Sequence, residues 1–348
     1  MCIPTTLQRT IMVLTSGSPP KVTVLMTLYN KGAFVEETVR SILASGFRDF
    51  ELLVVDDAST DGGPEKVRAL GDDRIRILSA TRNTGRAAAA NRGFDDARGE
   101  YIAVVDADDL VAPDRFAKQV EYLDQHPQVG VVGSRLKAFG TDAKEFITHS
   151  DSASAKAVGL FGMPVLYPTA MFRRSVLDAH GHRCDPDWLL PGMDMLFMLR
   201  VGLTTEYGNI QEPLTFYRTG EQNMRHGRDP IPDYLALDRA VFALFGIPAT
   251  DEQLALHVHL QEPFVERLTA DRVARLWAWV QELVNMELTR AVFSQKAFEK
   301  EIMMRWDRLY QPIAEHDLLS AITFLKCSGR MSFSNLWFVV KRALRRIS

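Results

Sequence analysis

In the first third of the chain, short runs rich in β-branched residues alternate with helix-spaced segments. The runs are "KVTVLMTLY" (21–29), "ELLVV" (51–55), "RIRIL" (74–78), "YIAVV" (101–105) and "VGVVGS" (129–134), and their length and composition predict strands. Between them, "FVEETVRSILAS", "GGPEKVRALG", "GRAAAANRGFDDARG" and "PDRFAKQVEYLDQH" place apolar residues at helical spacing among good helix formers. Pro113 suits a first helical turn, and Asp114 complements the positive end of a helix dipole. Strands and helices alternating at this pace predict an α/β fold, a mostly parallel sheet with helices on both faces. From 135 to 220 the alternation weakens, leaving "PTAMFRRSVL" and "GMDMLFMLRVG" as the ordered-looking stretches. Beyond about 232 the pattern is helical almost throughout. "TSGSPP" (15–20) reads as a flexible leader ahead of the first strand.

Composition adds limits. The 348 residues suffice for a sizeable core, and 46% hydrophobic with 24% charged residues is ordinary globular usage. A net charge of −3 gives no general reason to expect nucleic acid as a partner. Cys2, Cys184 and Cys327 lie far apart and in no paired spacing, which points to a reducing cytosol rather than a disulfide framework or a zinc site. No apolar run approaches the ~18 residues of a membrane-spanning helix.

The chemistry collects where strands end. Thr27, Tyr29 and Asn30 follow the first, Asp56 and Asp57 the second, and Asp106, Asp108 and Asp109 the fourth. Ligands of open α/β sheets sit beyond the carboxyl ends of the strands, so these residues converge on one site. Asp106-Ala107-Asp108 could be an acidic turn in water. A haloacid-dehalogenase-type phosphatase also uses Asp-x-Asp, but on the first strand of its domain and with Thr or Val where Asp109 stands. A receiver domain could use Asp56, Asp57 and Asp106, yet would leave "KVTVLMTLYN" unexplained, and Lys156 lacks the following Pro. The remaining reading is a divalent metal holding a diphosphate, since Mg²⁺ and Mn²⁺ take oxygen ligands and need only one or two carboxylates when phosphates complete the shell.

Over roughly 21–220 the chain resembles family 2 glycosyltransferases. The matching segments, in the family's order, are "PKVTVLMTLYNKGAFVEETVRSIL", "FELLVVDDASTDGG", "RNTGRAAAANRGFDDARGEYIAVVDADD", "PTAMFRRSVL", "GMDMLFMLR" and "EPLTFYR". The resemblance implies a GT-A type, Rossmann-like fold, a nucleotide-sugar donor and inversion at the anomeric carbon. It assigns Thr27 and Tyr29 to the nucleotide pocket and Asp57 to the base NH, a contact that favours uracil and hence UDP. Asp56 steadies that loop. Arg86 becomes a base or phosphate contact, with Asn91 in the same segment. Asp106 goes to ribose or metal, Asp108 to the Mn²⁺ or Mg²⁺ ion, and Asp109 behind them. Asp194 matches the catalytic base, with Arg200 at the family's spacing; Met193 stands where the family commonly has Glu, which bears on the acceptor. Read without the family, Asp194 is a helix N-cap. "FYRTGEQNMRH" resembles a donor-closing loop in which Arg218 and His226 reach the diphosphate, although the same charges suit an exposed loop.

The expected organisation is a leader (1–20), a GT-A domain (21–230, nucleotide part to 134, acceptor part 135–230) and a helical extension (231–348). His257 and His259 fall on different helix faces, which argues against a shared metal, and Trp277 and Trp279 suit packing. At the end, Phe333, Leu336, Trp337, Val340, Leu344 and Ile347 share a helix face opposite Lys341, Arg342, Arg345 and Arg346. Such a helix (331–348) fits an anionic membrane surface or docks on the body. The enzyme expected is thus a metal-dependent, hexosyltransferase-type glycosyltransferase. It would be cytoplasmic or peripheral on the membrane's inner face, with a saccharide or lipid-linked acceptor in surface polysaccharide or glycolipid synthesis. A catalytically silent GT-A-like module that binds a nucleotide sugar or a partner is the alternative; a nucleotidyltransferase would carry a Gly-rich basic loop after its first strand, which "TLYNKGAF" is not.

Overall fold

The computed structural model describes residues 18–220, 229–261 and 267–329, together with Asn335 and Trp337. His226 and nearly all of the 331–348 helix lie outside the described residues. The sheet strands are β1 (Val22–Leu28), β2 (Phe50–Asp56), β3 (Ile75–Ser79), β4 (Tyr101–Val104), β5 (Leu110–Val111), β6 (Val129–Gly140), β7 (Glu145–Phe146), β8 (Met171–Arg173) and β9 (Glu206–Thr219). Their order is β3-β2-β1-β4-β8-β6-β9-β5, with β7 beside β6. Parallel pairing joins β3, β2, β1 and β4, as the alternation predicts, and also β6 to β9. Beyond β4 the sheet turns mixed: β8 runs antiparallel to both β4 and β6, and β5 to β9. This mixed, curved sheet has the GT-A type of fold.

Helices α1 (Val35–Leu43), α2 (Gly63–Ala69), α3 (Arg86–Asp96) and α4 (Arg115–Gln125) fill the crossovers. Alternate β1 side chains feed two cores. Val22, Val24, Met26 and Leu28 pack with α1 and α4, whereas Leu25 joins Phe94 of α3 and Phe172 on the other face. That two-sided burial is why the strand reads as an unbroken apolar run. Pro113 lies just outside α4 rather than in its first turn: Asp114 is the N-cap residue, and its carboxylate pairs with Lys118 at 2.7 Å instead of capping. The Pro113 carbonyl is put to use, accepting from Gly46 N at 2.9 Å and Ser45 Oγ at 3.1 Å.

Next come α5 (Ser152–Ala157), α6 (Arg174–Ala179) and α7 (Met193–Gly202), then α8 (Ile231–Phe245), α9 (Asp251–Gln261), α10 (Ala270–Asn285), α11 (Glu287–Val292), α12 (Gln295–Arg308), α13 (Tyr310–His316) and α14 (Leu318–Ser328). A third core gathers Leu237, Trp279, Trp306 and Phe324 from these last helices, and it also takes Phe161 and, from α7, Met195, Leu196 and Leu199. His257 and His259 are both buried in α9; the His257 ring stacks on Phe161, and its Nε2–H donates to Leu160 O at 2.7 Å. Trp279 is buried against Phe242, and Trp277 packs on Trp306. No helix among the described residues is long and apolar enough to cross a membrane.

Candidate active site

The order β3-β2-β1-β4 reverses direction at β1, so the ends of β1 and β4 open a crevice. Two turns shape it. Asn30, at φ 50°, accepts Thr60 N on Oδ1 at 2.9 Å, and Gly32 N donates to Asp61 Oδ2 at 2.6 Å. A side chain at Gly32 would collide with the Asp61 carbonyl, 2.8 Å from its Cβ position. The loop after β1 is thereby fastened to the loop after β2, where Asp56 Oδ1 accepts Ser59 N at 3.0 Å. Asp57 fastens a third loop: it accepts Thr84 N, Thr84 Oγ1 and Gly85 N at 2.7 to 2.8 Å. These bonds spend most of its lone pairs and hold it rigid.

A cavity of about 520 Å³ lies over this framework, and Thr27, Tyr29, Asp57, Arg86, Asp106 and Asp108 all line it. The strand-end residues therefore do converge. A second cavity, about 450 Å³, has Asp194 on its wall. Arg86, Asp106 and Tyr217 border both, so the cavities adjoin. Asp194 stands in the first turn of α7; the N-cap is Gly192, at φ 101°, so Asp194 is not the capping residue. Its Oδ1 accepts Met195 N at 3.0 Å, which fixes the carboxylate. Met193, in the position of the family's Glu, is buried in the core shared with Phe197.

Other residues hold the site from behind. Asn91 exchanges two hydrogen bonds with the Cys184 main chain, at 2.7 and 2.8 Å, tying α3 to the segment before α7. Asp109 is fully buried and accepts Arg218 N at 2.9 Å, and burial raises its pKa. The Arg218 side chain passes between Phe34 and Phe139 to reach Asp108 O at 2.9 Å and Glu37 Oε2 at 2.6 Å.

Electrostatically the junction of the cavities calls for positive charge. Burial raises the Asp106 pKa; Arg86 opposes the shift, while Asp108 and Asp194 add to it. Desolvation works against the Arg86 charge, and Asp106 and Asp194 outweigh it, so its pKa rises. Lys31 supplies a second positive charge that the sequence does not single out: its Nζ lies 2.6 Å from Asp108 Oδ2. A lysine in a loop has no spacing to betray it, and Tyr217 sits on β9, whose interrupted pattern does not read as a strand.

Among the described residues no group of three or more His, Cys, Asp or Glu side chains is placed to hold a metal ion. Asp106 and Asp108 nevertheless both bring hard oxygen donors to the lining of the first cavity, and the ammonium resting on Asp108 marks where a cation is favoured. That pair fits Mg²⁺ or Mn²⁺ sharing its shell with phosphates.

The fold is of the GT-A type, with its crevice at the ends of β1 and β4. Residues 23–181, a little under half of the chain, match the model described as Glycosyl transferase family 2. It is 35% identical over 162 residues to the putative glycosyltransferase EpsE of Bacillus subtilis, covering 46% of this chain and 58% of that protein. It is 40% identical over 105 residues to the succinoglycan biosynthesis protein ExoO of Rhizobium meliloti, covering 30% of each. The matches thus span little more than half of those relatives at most. In structure the chain is similar to S. aureus TarS 1–349 in complex with UDP-GlcNAc, with TM-score 0.60 and 17% identity over 84% of this chain and 93% of that one. This last likeness concerns the fold.

Proposed function

We propose that the protein transfers a sugar, with inversion, from a UDP-sugar to an acceptor hydroxyl, in the assembly of a surface polysaccharide or glycolipid. The observation that carries this is the pair of adjoining cavities, with Asp57, Asp106 and Asp108 in one, Asp194 in the other, and Arg86 at their junction. Tyr29 and Asp57 take the base, and Arg86 and Lys31 face the diphosphate. Asp106 and Asp108 would hold a Mn²⁺ or Mg²⁺ ion, which would neutralise charge on the departing diphosphate. Asp194 accepts the proton of the acceptor hydroxyl as that oxygen attacks from the face opposite the diphosphate, so a single displacement inverts the anomeric centre. The names of the relatives, one of them a succinoglycan biosynthesis protein, support the polysaccharide setting, and we place the work at the cytoplasmic face of a membrane.

Asp194→Ala is expected to lower UDP release in the presence of acceptor by about 10³-fold while UDP affinity by calorimetry stays within about twofold. Full transfer by that variant refutes the base assignment. Unchanged UDP–Mn²⁺ affinity in Asp108→Ala refutes the metal assignment. The anomeric configuration of the product, read by NMR, tests inversion.

A further inference from the structure

The second cavity is walled in part by residues outside the family segment. Its donor end carries Arg86, Asp106 and Asp194. Its lining also includes Phe146 and Phe161, Tyr234 and Leu237 from α8, and Gln261 from the end of α9, none of which borders the first cavity. Among the described residues, every charged group on this cavity lies at its donor end. Away from it the lining is aromatic and aliphatic, with Gln261 as a neutral polar group. The Gln261 amide is oriented, since Nε2 donates to Asp238 Oδ1 at 2.5 Å. The same Nε2 also lies 3.4 Å from Leu160 O, so the amide's donors are engaged and Oε1 is the atom with which Gln261 would accept a hydroxyl. The extension is also pressed against the start of α7: a Cβ on Gly192 would come within 2.7 Å of Leu237.

Such a wall rejects charge. A uronate or phosphate lying there would lose its hydration and find no cation among the described lining residues in return. A pyranose ring fits differently, because its C–H face is apolar and can lie on an aromatic ring while its hydroxyls find a few placed polar groups. We propose that helices α8 and α9 form an acceptor subsite for an uncharged pyranoside, with Tyr234 as the ring platform and Gln261 as the hydroxyl partner. The extension then selects the acceptor, while the family segment handles the donor. This deepens the reading above and rests on it.

The test uses the full chain, a UDP-sugar donor that supports UDP release, and octyl pyranosides paired with the matching octyl uronosides. The neutral pyranosides are expected to be preferred by at least about tenfold in kcat/KM. Tyr234→Ala and Gln261→Leu should each raise the pyranoside KM by about five- to tenfold, with kcat little changed and UDP affinity retained. Preference for the uronosides, or an unchanged pyranoside KM in both variants, overturns the subsite. Absence of UDP release with every donor and acceptor instead sinks the transferase reading, and the subsite with it.

Discussion

His257 makes stability depend on pH in a way that can be isolated. Burial lowers its pKa from 6.5 to about 4, with the hydrogen bond to Leu160 opposing and Arg305 adding to the shift. The folded protein therefore keeps the ring neutral where the unfolded chain would protonate it. A depressed folded pKa gives stability that is complete above the unfolded value and is lost as pH falls toward the folded one. The shift of ~2.5 units corresponds to about 3 kcal/mol over the whole window, of which about 2 kcal/mol falls between about pH 7.5 and about pH 5. His257→Gln keeps a neutral donor for Leu160 O but gives up the stacking on Phe161 and the edge contact with Phe242. At about pH 7.5 the variant should be less stable by about 1–2 kcal/mol. By about pH 5 that deficit should vanish or reverse, because only the wild type must protonate a buried imidazole on unfolding. Urea unfolding followed by tryptophan fluorescence reports on this core directly, since Trp279 and Trp306 belong to it. Two stability–pH curves that run parallel would refute the reasoning.

Two further substitutions probe the sheet and the crevice. At Gly99 an added Cβ would sit 2.3 Å from Thr23 N and 2.7 Å from Val22 C, main-chain atoms that cannot step aside, so Gly99→Ala should cost about 3 kcal/mol or more. A thermal midpoint within a degree or two of wild type would contradict this. In Lys31→Met, Asp108 loses a charge-assisted bond worth about 1.5–3 kcal/mol, so affinity for Mn²⁺ alone should rise about tenfold or more. Calorimetry showing weaker Mn²⁺ binding would mean that the ammonium assists the ion rather than occupying its place.

How much of this was legible follows from how each signal arises. β1, β2 and β4 are buried on both faces, so their apolar runs stand out, and the carboxylates that end them mark the crevice. β9 is as long as any strand here, yet Gln211, Glu212 and Pro213 interrupt it, and its pairing with β6 shifts register around Ser134 and Arg135. Neither strand alternation nor helical period survives that irregularity. The strands up to β4 are therefore readable, and of the mixed half only the start of β6 is. Asp194 was found through its family spacing. Its companion Met193 drew notice as a departure, and its burial in the core explains why an apolar residue is accommodated there. Lys31, Tyr234 and Gln261 are brought to the cavities by tertiary packing alone, which leaves no local pattern.

Helix α7 carries a consequence for how such proteins can be recombined. Met193, Phe197, Met198 and Val201 face the sheet core, whereas Met195, Leu196 and Leu199 face the helical core. Asp194 thus rides on a beam with both flanks loaded, and neither half of the molecule alone sets its aim. A chimaera that exchanged everything after residue 230 for the equivalent of a relative would repack one flank of that beam and re-aim the carboxylate. Swapping acceptor preference by grafting helices therefore requires carrying the facing side of α7 across with them.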